Sequence, residues 1–92
     1  MIRSFRDRDT AELFYRLASR RWAGVARVAL RKLRLLNRAH TLNDLMALPG
    51  NRLEKLRSER AGQYSVRVND QYRICFRWEG SDALDVELTD YH

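Results

Sequence analysis

The regular alternation of apolar and polar residues between positions 64 and 89 constrains the fold of this chain more than any other feature. Successive side chains of a β-strand point to opposite faces, so a period of two predicts strands with one buried face. We therefore predict an antiparallel sheet in the second half of the chain, preceded by a short strand marked by Leu53 and Leu56. The apolar positions of the three longer strands are Tyr64, Val66 and Val68; Tyr72, Ile74, Phe76 and Trp78; and Leu84, Val86 and Leu88.

The loop between the first two of these strands predicts how they pair. A three-residue loop, Asn69–Gln71, keeps every apolar side chain on one face and sets Arg67 opposite Arg73. Two arginines directly opposite each other repel, which folding alone does not favour. An anion between them would relieve the repulsion, and phosphate is the simplest such anion.

The same argument predicts a second loop over Glu79–Ala83. This loop brings the last three residues of the sequence, Asp90, Tyr91 and His92, beside Arg73 on a neighbouring strand. The predicted pairs are Phe76 with Val86, Arg77 with Asp85, and Arg73 with Thr89.

The first half of the chain is predicted to be helical after a short strand at Ile2–Phe5. Asp9 and Glu12 have the spacing of a capping box, with Asp9 as the N-cap. They predict a first helix that runs to about Ala18.

A longer second helix is predicted over Val25–Arg38, and Thr41–Gly50 is predicted to be a connector with one short helical turn. We therefore expect an α+β fold, in which an N-terminal strand and two helices pack on one face of a small antiparallel sheet. The apolar residues that face the core recur at helical spacing: Trp22, Ala26, Ala29, Leu33 and Leu36.

The charge of the chain points to a polyanionic partner. Ninety-two residues suffice for a single domain, predicted to span residues 1–92, with one modest core. The 18 Lys and Arg residues exceed the 12 Asp and Glu residues, and sixteen of those 18 cations are arginine. Arginine binds phosphate through two parallel hydrogen bonds and stacks on bases, so this composition favours a nucleic acid.

Four arginines of the second helix share one predicted face. Arg27, Arg31, Arg34 and Arg38 follow one another at spacings of four, three and four residues. They are either the solvated side of an amphipathic helix or a surface that docks on RNA. Since no carboxylate stands at a spacing that would neutralise them, the pattern favours a partner.

Cysteine and histidine usage indicates neither a disulfide framework nor a metal centre. Cys75 is the single cysteine, and its place in a strand pattern predicts a buried structural thiol. His40 and His92 are far apart and have no ligand spacing, so no metal or cofactor is predicted. Without a membrane-spanning apolar run or a signal-like N-terminal core, we expect a cytoplasmic protein.

The last three residues are candidates for metal-free cleavage of RNA. Such cleavage uses the substrate's own 2′-hydroxyl and needs proton transfer and charge stabilisation at the phosphate. His92 is the candidate general acid, with Asp90 orienting it and Tyr91 donating a hydrogen bond or stacking on a base. Arg73 and Arg67 would stabilise the phosphate. Glu54, a candidate general base, follows the Pro-Gly turn with Lys55 and Arg57 and is predicted to face the same site.

These motifs resemble those of the HigB branch of the RelE/ParE toxin superfamily, over essentially the whole chain. The resemblance is carried by Met1–Phe5, Leu48–Leu53, Ser65–Arg77 and the final Asp-Tyr-His. It implies two helices on a small antiparallel sheet. By resemblance, Arg73 matches the phosphate-binding arginine, and Asp90, Tyr91 and His92 match the C-terminal catalytic set. Glu54 and Arg57 stand where some relatives have His and Lys.

The resemblance also implies a toxin of a type II toxin–antitoxin system. It implies a ribosome-dependent endoribonuclease that cleaves mRNA in the aminoacyl site and contacts 16S rRNA. A helix-turn-helix antitoxin of HigA type would neutralise it, and through that antitoxin the pair would bind operator DNA.

Two other functions are compatible with the same fold. The superfamily includes ParE-type toxins, which bind DNA gyrase and cut nothing themselves. A non-catalytic RNA-binding domain is the third possibility. Arg73 with the terminal Asp-Tyr-His favours the nuclease, because a pure binding protein does not need them.

Overall fold

A computed structural model describes residues 1–16, 21–48 and 50–90 of the chain. The described residues form a four-stranded antiparallel sheet in the order β1-β2-β3-β4, together with three α-helices and one 3-10 turn. The predicted α+β class is confirmed. The elements are α1 (Arg8–Arg16), α2 (Ala26–Arg38), α3 (Leu42–Met46), β1 (Glu54–Lys55), the 3-10 turn (Ser58–Arg60), β2 (Gln63–Arg67), β3 (Tyr72–Glu79) and β4 (Asp82–Asp90).

The hairpin of β2 and β3 has the predicted register. Arg67 lies opposite Arg73, and Val66 lies opposite Ile74. The side chain of Asn69 closes the three-residue loop, because its Oδ1 atom accepts hydrogen bonds from the backbone N–H groups of Gln71 and Tyr72 at 2.9 and 2.7 Å. Such a side-chain turn explains why the loop fixes the register.

The hairpin of β3 and β4 differs from the prediction beyond its first four pairs. Arg73 lies opposite Thr89 as predicted, but Arg77 lies opposite Leu84 and not Asp85. The ladder is interrupted between Cys75 and Arg77, so the predicted pair of Phe76 with Val86 does not form. The predicted loop Glu79–Ala83 is also wrong, because pairing continues to Glu79 and Asp82.

A β-bulge in β4 is the physical reason for this difference. Asp85 has a left-handed backbone with φ of 52°. The turn between β3 and β4 is shorter than predicted, and one extra residue in β4 restores the register. Ala83, Val86 and Leu88 are therefore all buried. The hydroxyl of Ser4 accepts a hydrogen bond from the Asp85 N–H group at 2.9 Å. Arg77 and Asp85 still form an ion pair at 3.5 Å between half-exposed side chains.

The predicted N-terminal strand is present as two isolated parallel bridges to β4. Ile2 pairs with Ala83, and Phe5 pairs with Val86. The N–H group of Arg3 donates to the Ala83 carbonyl at 2.8 Å, and that of Arg6 donates to the Val86 carbonyl at 2.9 Å. The bulge separates the two bridges and so prevents a continuous ladder.

Helix α1 is capped by a different residue from the one predicted. The helix begins at Arg8, and Asp7 Oδ1 accepts from the Thr10 N–H group at 3.3 Å, so Asp9 is not the cap. Glu12 instead forms an ion pair with Arg8 at 3.3 Å. The predicted end near Ala18 lies outside the described residues.

Helix α2 confirms the prediction within one residue, with Val25 as its N-cap. Trp22, Ala29, Leu33 and Leu36 are buried as expected, and Ala26 packs partly buried against them. They share one core with the helix-facing side of the sheet, where Val66, Ile74, Phe76, Val86 and Leu88 are buried.

The opposite face of the sheet carries a polar layer. Ser65 and Cys75 on this face are fully buried, as predicted for the structural thiol, and burial raises the pKa of Cys75. Arg60 of the 3-10 turn donates to Gln63 Oε1 at 3.2 Å and to Glu87 Oε1 at 3.1 Å. The face on which Arg73 lies is therefore partly covered by polar side chains. None of the helices in the described ranges is long and apolar enough to cross a membrane.

Candidate active site and arginine surface

Arg73 is held in a defined direction by three hydrogen bonds. Its Nε atom donates to the Ser65 hydroxyl at 2.7 Å, and its Nη2 atom donates to the Arg52 carbonyl at 2.6 Å and the Ser65 carbonyl at 3.3 Å. The side chain is half-buried on β3. Since a guanidinium has five N–H donors, donors remain that the contacts within the described chain do not use.

Arg67 is half-buried on β2, directly opposite Arg73. Its Nη2 atom forms a close ion pair with the carboxylate of Asp70, in the loop that follows. The repulsion expected between the two arginines is therefore offset by Asp70 on one side and by neutral acceptors on the other. The argument that an external anion is needed to favour this pair is wrong, although the pair still concentrates positive charge at one place.

Asp90 ends β4 opposite Tyr72, one position beyond the Arg73–Thr89 pair. It is exposed, and its Oδ2 atom accepts a hydrogen bond from Gln71 Nε2 at 3.1 Å. By the alternation of a strand, Asp90 belongs to the face of Tyr72, whereas Arg73 belongs to the face of Thr89. The two residues are close in register but on different faces. Tyr91 and His92 lie outside the described residues.

Glu54, Lys55 and Arg57 line one open concavity of about 640 Å³ at the β1 edge, together with Leu56 and Ser58. Glu54 lies opposite Ser65, the residue that holds Arg73, whereas Lys55 lies opposite Tyr64. Glu54 is therefore on the face of Arg73 and Lys55 is on the other face. Glu54 and Arg73, which both lie in the described part of the chain, do not form an ion pair with each other.

The four α2 arginines form an exposed surface, which we call the α2 arginine stripe: Arg27, Arg31, Arg34 and Arg38. Within residues 1–16, 21–48 and 50–90, none of the four forms an ion pair. They line a shallow concavity of about 690 Å³ together with Val28, Leu30 and Asn37. The stripe is thus a concentration of positive charge that the described chain does not neutralise.

The residues that can hold a metal ion are scattered. Among the described residues, no three His, Cys, Asp or Glu side chains lie close enough together to bind a metal.

A model of one protein family matches nearly the whole chain. The model of the HigB-like toxins, described as RelE-like toxins of the type II toxin–antitoxin system HigB, matches residues 3–92. This chain belongs to the HigB-like family of RelE-like toxins. The resemblance stated from the sequence is therefore confirmed, and the chain is a type II toxin by family.

The chain is also similar to two individual proteins, one of which is named as a HigB toxin. Toxin HigB-1 of Vibrio cholerae serotype O1 is 39% identical over 66 residues, which cover 72% of this chain and 70% of that protein. An uncharacterised protein of Haemophilus influenzae is 36% identical over 62 residues, which cover 67% of this chain and 61% of that protein.

A solved structure agrees with the fold. The YoeB-YefM complex from Staphylococcus aureus contains a chain that matches with a TM-score of 0.61 and 18% sequence identity. The match covers 100% of this chain and 98% of that chain. At this level of identity the similarity concerns the RelE-like fold alone.

Sequence reasoning missed the residues that support Arg73. Ser65 carried a signal, because it falls on the same face of the predicted hairpin as Arg73. The Arg52 carbonyl carried none, since a backbone acceptor has no residue-type signature. Lys32 and Asn51, both buried, were also missed. Lys32 had a detectable signal in its spacing from Ala29 and Leu36, which places it at the border of the core face.

Proposed function

We propose that this toxin is a ribosome-dependent, metal-independent endoribonuclease that cleaves mRNA by attack of a 2′-hydroxyl on the adjacent phosphate. The observation that carries the proposal is the guanidinium of Arg73, held by Ser65 and Arg52 opposite a second arginine. A guanidinium that is held in a fixed direction and still has unused N–H donors can stabilise the negative charge that develops on a phosphate in the transition state. Membership of the RelE-like toxins supports the same reaction.

The reaction requires one group to take the 2′-hydroxyl proton and another to protonate the departing 5′-oxygen. We assign the second role to His92, since imidazole titrates near neutral pH. Asp90 would orient the imidazole, and Tyr91 would donate a hydrogen bond or stack on a base. Glu54 is the candidate base because it shares the face of Arg73.

The basic residues outside this centre would bind the RNA backbone. Arg67 and Arg57 are proposed to bind mRNA phosphates near the cleavage point. Lys55, on the other face of β1, is proposed to bind a phosphate farther along the RNA. The α2 arginine stripe is proposed to dock on the phosphates of 16S rRNA. Its length supports this role, because a rise of 1.5 Å per residue spreads Arg27 to Arg38 over about 16 Å.

We propose that a helix-turn-helix antitoxin of HigA type neutralises the toxin. Membership of a toxin–antitoxin family and the likeness to a chain in the YoeB-YefM complex support such a partner. The complex would bind operator DNA through the antitoxin. With ribosomes and mRNA as its targets, the toxin would act in the cytoplasm.

Induction in cells followed by mapping of mRNA 5′ ends on ribosomes tests this function. The wild type is expected to produce new ends in translated messages, and the Arg73→Ala/His92→Ala double variant is expected to produce none. Arg77→Ala is the matched control, because Arg77 is an exposed arginine on the same face of β3.

Three outcomes would contradict the proposal. Equal cleavage by the double variant would exclude the assigned site. Ribosome binding without new ends would indicate a non-catalytic RNA-binding protein. Inhibition of purified gyrase without new ends would indicate a ParE-like toxin.

A further inference from the structure

Asn51 joins three elements of the fold through its polar groups. Its side chain accepts a hydrogen bond from Lys32 of α2 and donates one at 3.2 Å to the carbonyl of Leu45 in α3. Its backbone carbonyl accepts from the N–H group of Arg67 in β2 at 2.6 Å. Only 1% of Asn51 is exposed. A buried polar residue with every group engaged fixes the position of its backbone.

Lys32 is an unusual partner for this asparagine. Only 9% of the residue is exposed, and its ammonium group forms no ion pair with a carboxylate anywhere in the described ranges. Burial lowers its pKa, and the neighbouring charges of Arg31 and Arg67 lower it further. A buried cation needs a hydrogen-bond acceptor, and the amide oxygen of Asn51 supplies one. The fold therefore ties α2 firmly to Asn51.

The residue after Asn51 holds Arg73. Arg52 has a left-handed backbone with φ of 44°, and its carbonyl accepts from Arg73 Nη2 at 2.6 Å. A non-glycine residue keeps this conformation only where the flanking structure imposes it. Asn51 imposes it on one side, and the pairing of Glu54 with Ser65 imposes it on the other.

We propose that Asn51, anchored by Lys32, is a positioning residue for the phosphate site. It sets the Arg52 carbonyl, and through that carbonyl it sets the direction of the Arg73 guanidinium. Its backbone carbonyl, which an alanine substitution keeps, accepts a hydrogen bond from the N–H group of Arg67. The catalytic consequence rests on the proposed ribonuclease function, whereas the positioning itself is a property of the free protein.

Two-dimensional NMR of the Arg73 Nη2 N–H group, which donates to the Arg52 carbonyl, tests the positioning without any substrate. Asn51→Ala is expected to shift this resonance, because the guanidinium loses its fixed acceptor. Asn43→Ala is the matched control: Asn43 is an exposed asparagine of α3, and its variant is expected to leave the resonance unchanged. If Asn51→Ala does not fold, the double variant Lys32→Met/Asn51→Ala replaces it, because it removes the buried cation along with its acceptor. The double variant is expected to give the same shift of the Arg73 resonance.

Single-turnover cleavage of ribosome-bound mRNA tests the consequence. Asn51→Ala is expected to lower the maximal rate by about 10- to 100-fold and to leave the half-saturating ribosome concentration unchanged. In an Arg73→Ala background, the same change is expected to lower the rate no further, since it acts through Arg73.

An unshifted Arg73 resonance in the folded variants, or losses that multiply in the double variant, would overturn the proposal. If the wild type cleaves no mRNA, the proposed function is wrong. The Arg73 resonance then still decides whether Asn51 positions that side chain.

Discussion

At the scale of single residues, the site depends on how a planar guanidinium is held. Arg73 uses Nε and Nη2 for the acceptors on Ser65 and Arg52. Lysine has the same charge but presents it as a single point with no fixed plane. A substitution of Arg73 by lysine therefore separates the contribution of the positive charge from that of the fixed direction of the guanidinium.

We expect Arg73→Lys to lower the single-turnover rate of mRNA cleavage by about 100-fold, as for the loss of a transition-state donor. Arg77→Lys, on the same strand and face, is expected to cleave at the wild-type rate. A rate for Arg73→Lys equal to that of the wild type would show that position 73 contributes charge only.

At the scale of elements, α3 depends on a reciprocal cap between Thr41 and Asp44. The Asp44 carboxylate accepts hydrogen bonds from the N–H groups of His40 and Thr41 at 2.9 and 3.0 Å. These bonds stabilise the ionised form and lower the pKa of Asp44 below its ordinary value. The stabilisation is complete above the unfolded-state pKa and is lost as the pH falls through the lowered folded-state pKa.

Asp44→Ala is therefore expected to lower the melting temperature at neutral pH by a few degrees, since α3 loses the carboxylate half of its reciprocal cap. The difference from wild type should shrink as the pH falls below about 4. Thermal melts across this range check the prediction, with Asn43→Ala in the same helix as the control. A difference that stays constant with pH would exclude the ionised cap.

The bulge in β4 is the second element with a specific residue requirement. Asp85 adopts φ of 52°, a conformation that Asn and Asp tolerate and β-branched residues do not. Asp85→Val is expected to lower the free energy of unfolding by about 1–3 kcal/mol, and Asp85→Asn is expected to change it little. Chemical denaturation measures both, with Thr89→Val as the control in extended backbone of the same strand. Equal stability of Asp85→Val and wild type would contradict the bulge.

At the scale of the whole molecule, the positive charge is concentrated in particular places. The α2 arginine stripe has no ion pairs among the described residues, whereas Arg3 and Arg8 pair with Asp82 and Glu12. The effect of the net charge can therefore be distinguished from the effect of the α2 arginine stripe. Two arginines are removed either from the stripe or from the ion-paired positions Arg3 and Arg8.

Arg27→Gln/Arg34→Gln is expected to weaken ribosome binding and to reduce the salt dependence of log K by about two, one for each lost phosphate contact. Arg3→Gln/Arg8→Gln changes the net charge equally and should leave that slope unchanged. Binding measured at several salt concentrations checks both. Equal slopes for the two variants would mean that the stripe makes no specific contacts.

Most of the register of the strands could be predicted from the sequence, whereas the β-bulge and part of the contacts of Arg73 could not. Alternation predicted the pairs Arg67–Arg73 and Arg73–Thr89, because a slip of one residue would turn every apolar side chain outward. It could not reveal the bulge, since an Asp at position 85 is compatible with left-handed backbone but does not show that a residue is inserted there. Arg73 could be singled out by its side chain, but the carbonyl that holds it belongs to a backbone turn. Ser65 could thus be placed beside Arg73 from the residue pattern, whereas the Arg52 carbonyl is a tertiary feature that the pattern does not encode.

A single 2′-deoxy substitution in mRNA on purified ribosomes tests most directly whether the 2′-hydroxyl attacks the phosphate. We predict that the all-ribose message is cut to give a 2′,3′-cyclic phosphate end. A message with deoxyribose at the scissile nucleotide is expected to stay intact while it binds equally well. Cleavage of the deoxy message at the same position and rate would contradict attack by the 2′-hydroxyl.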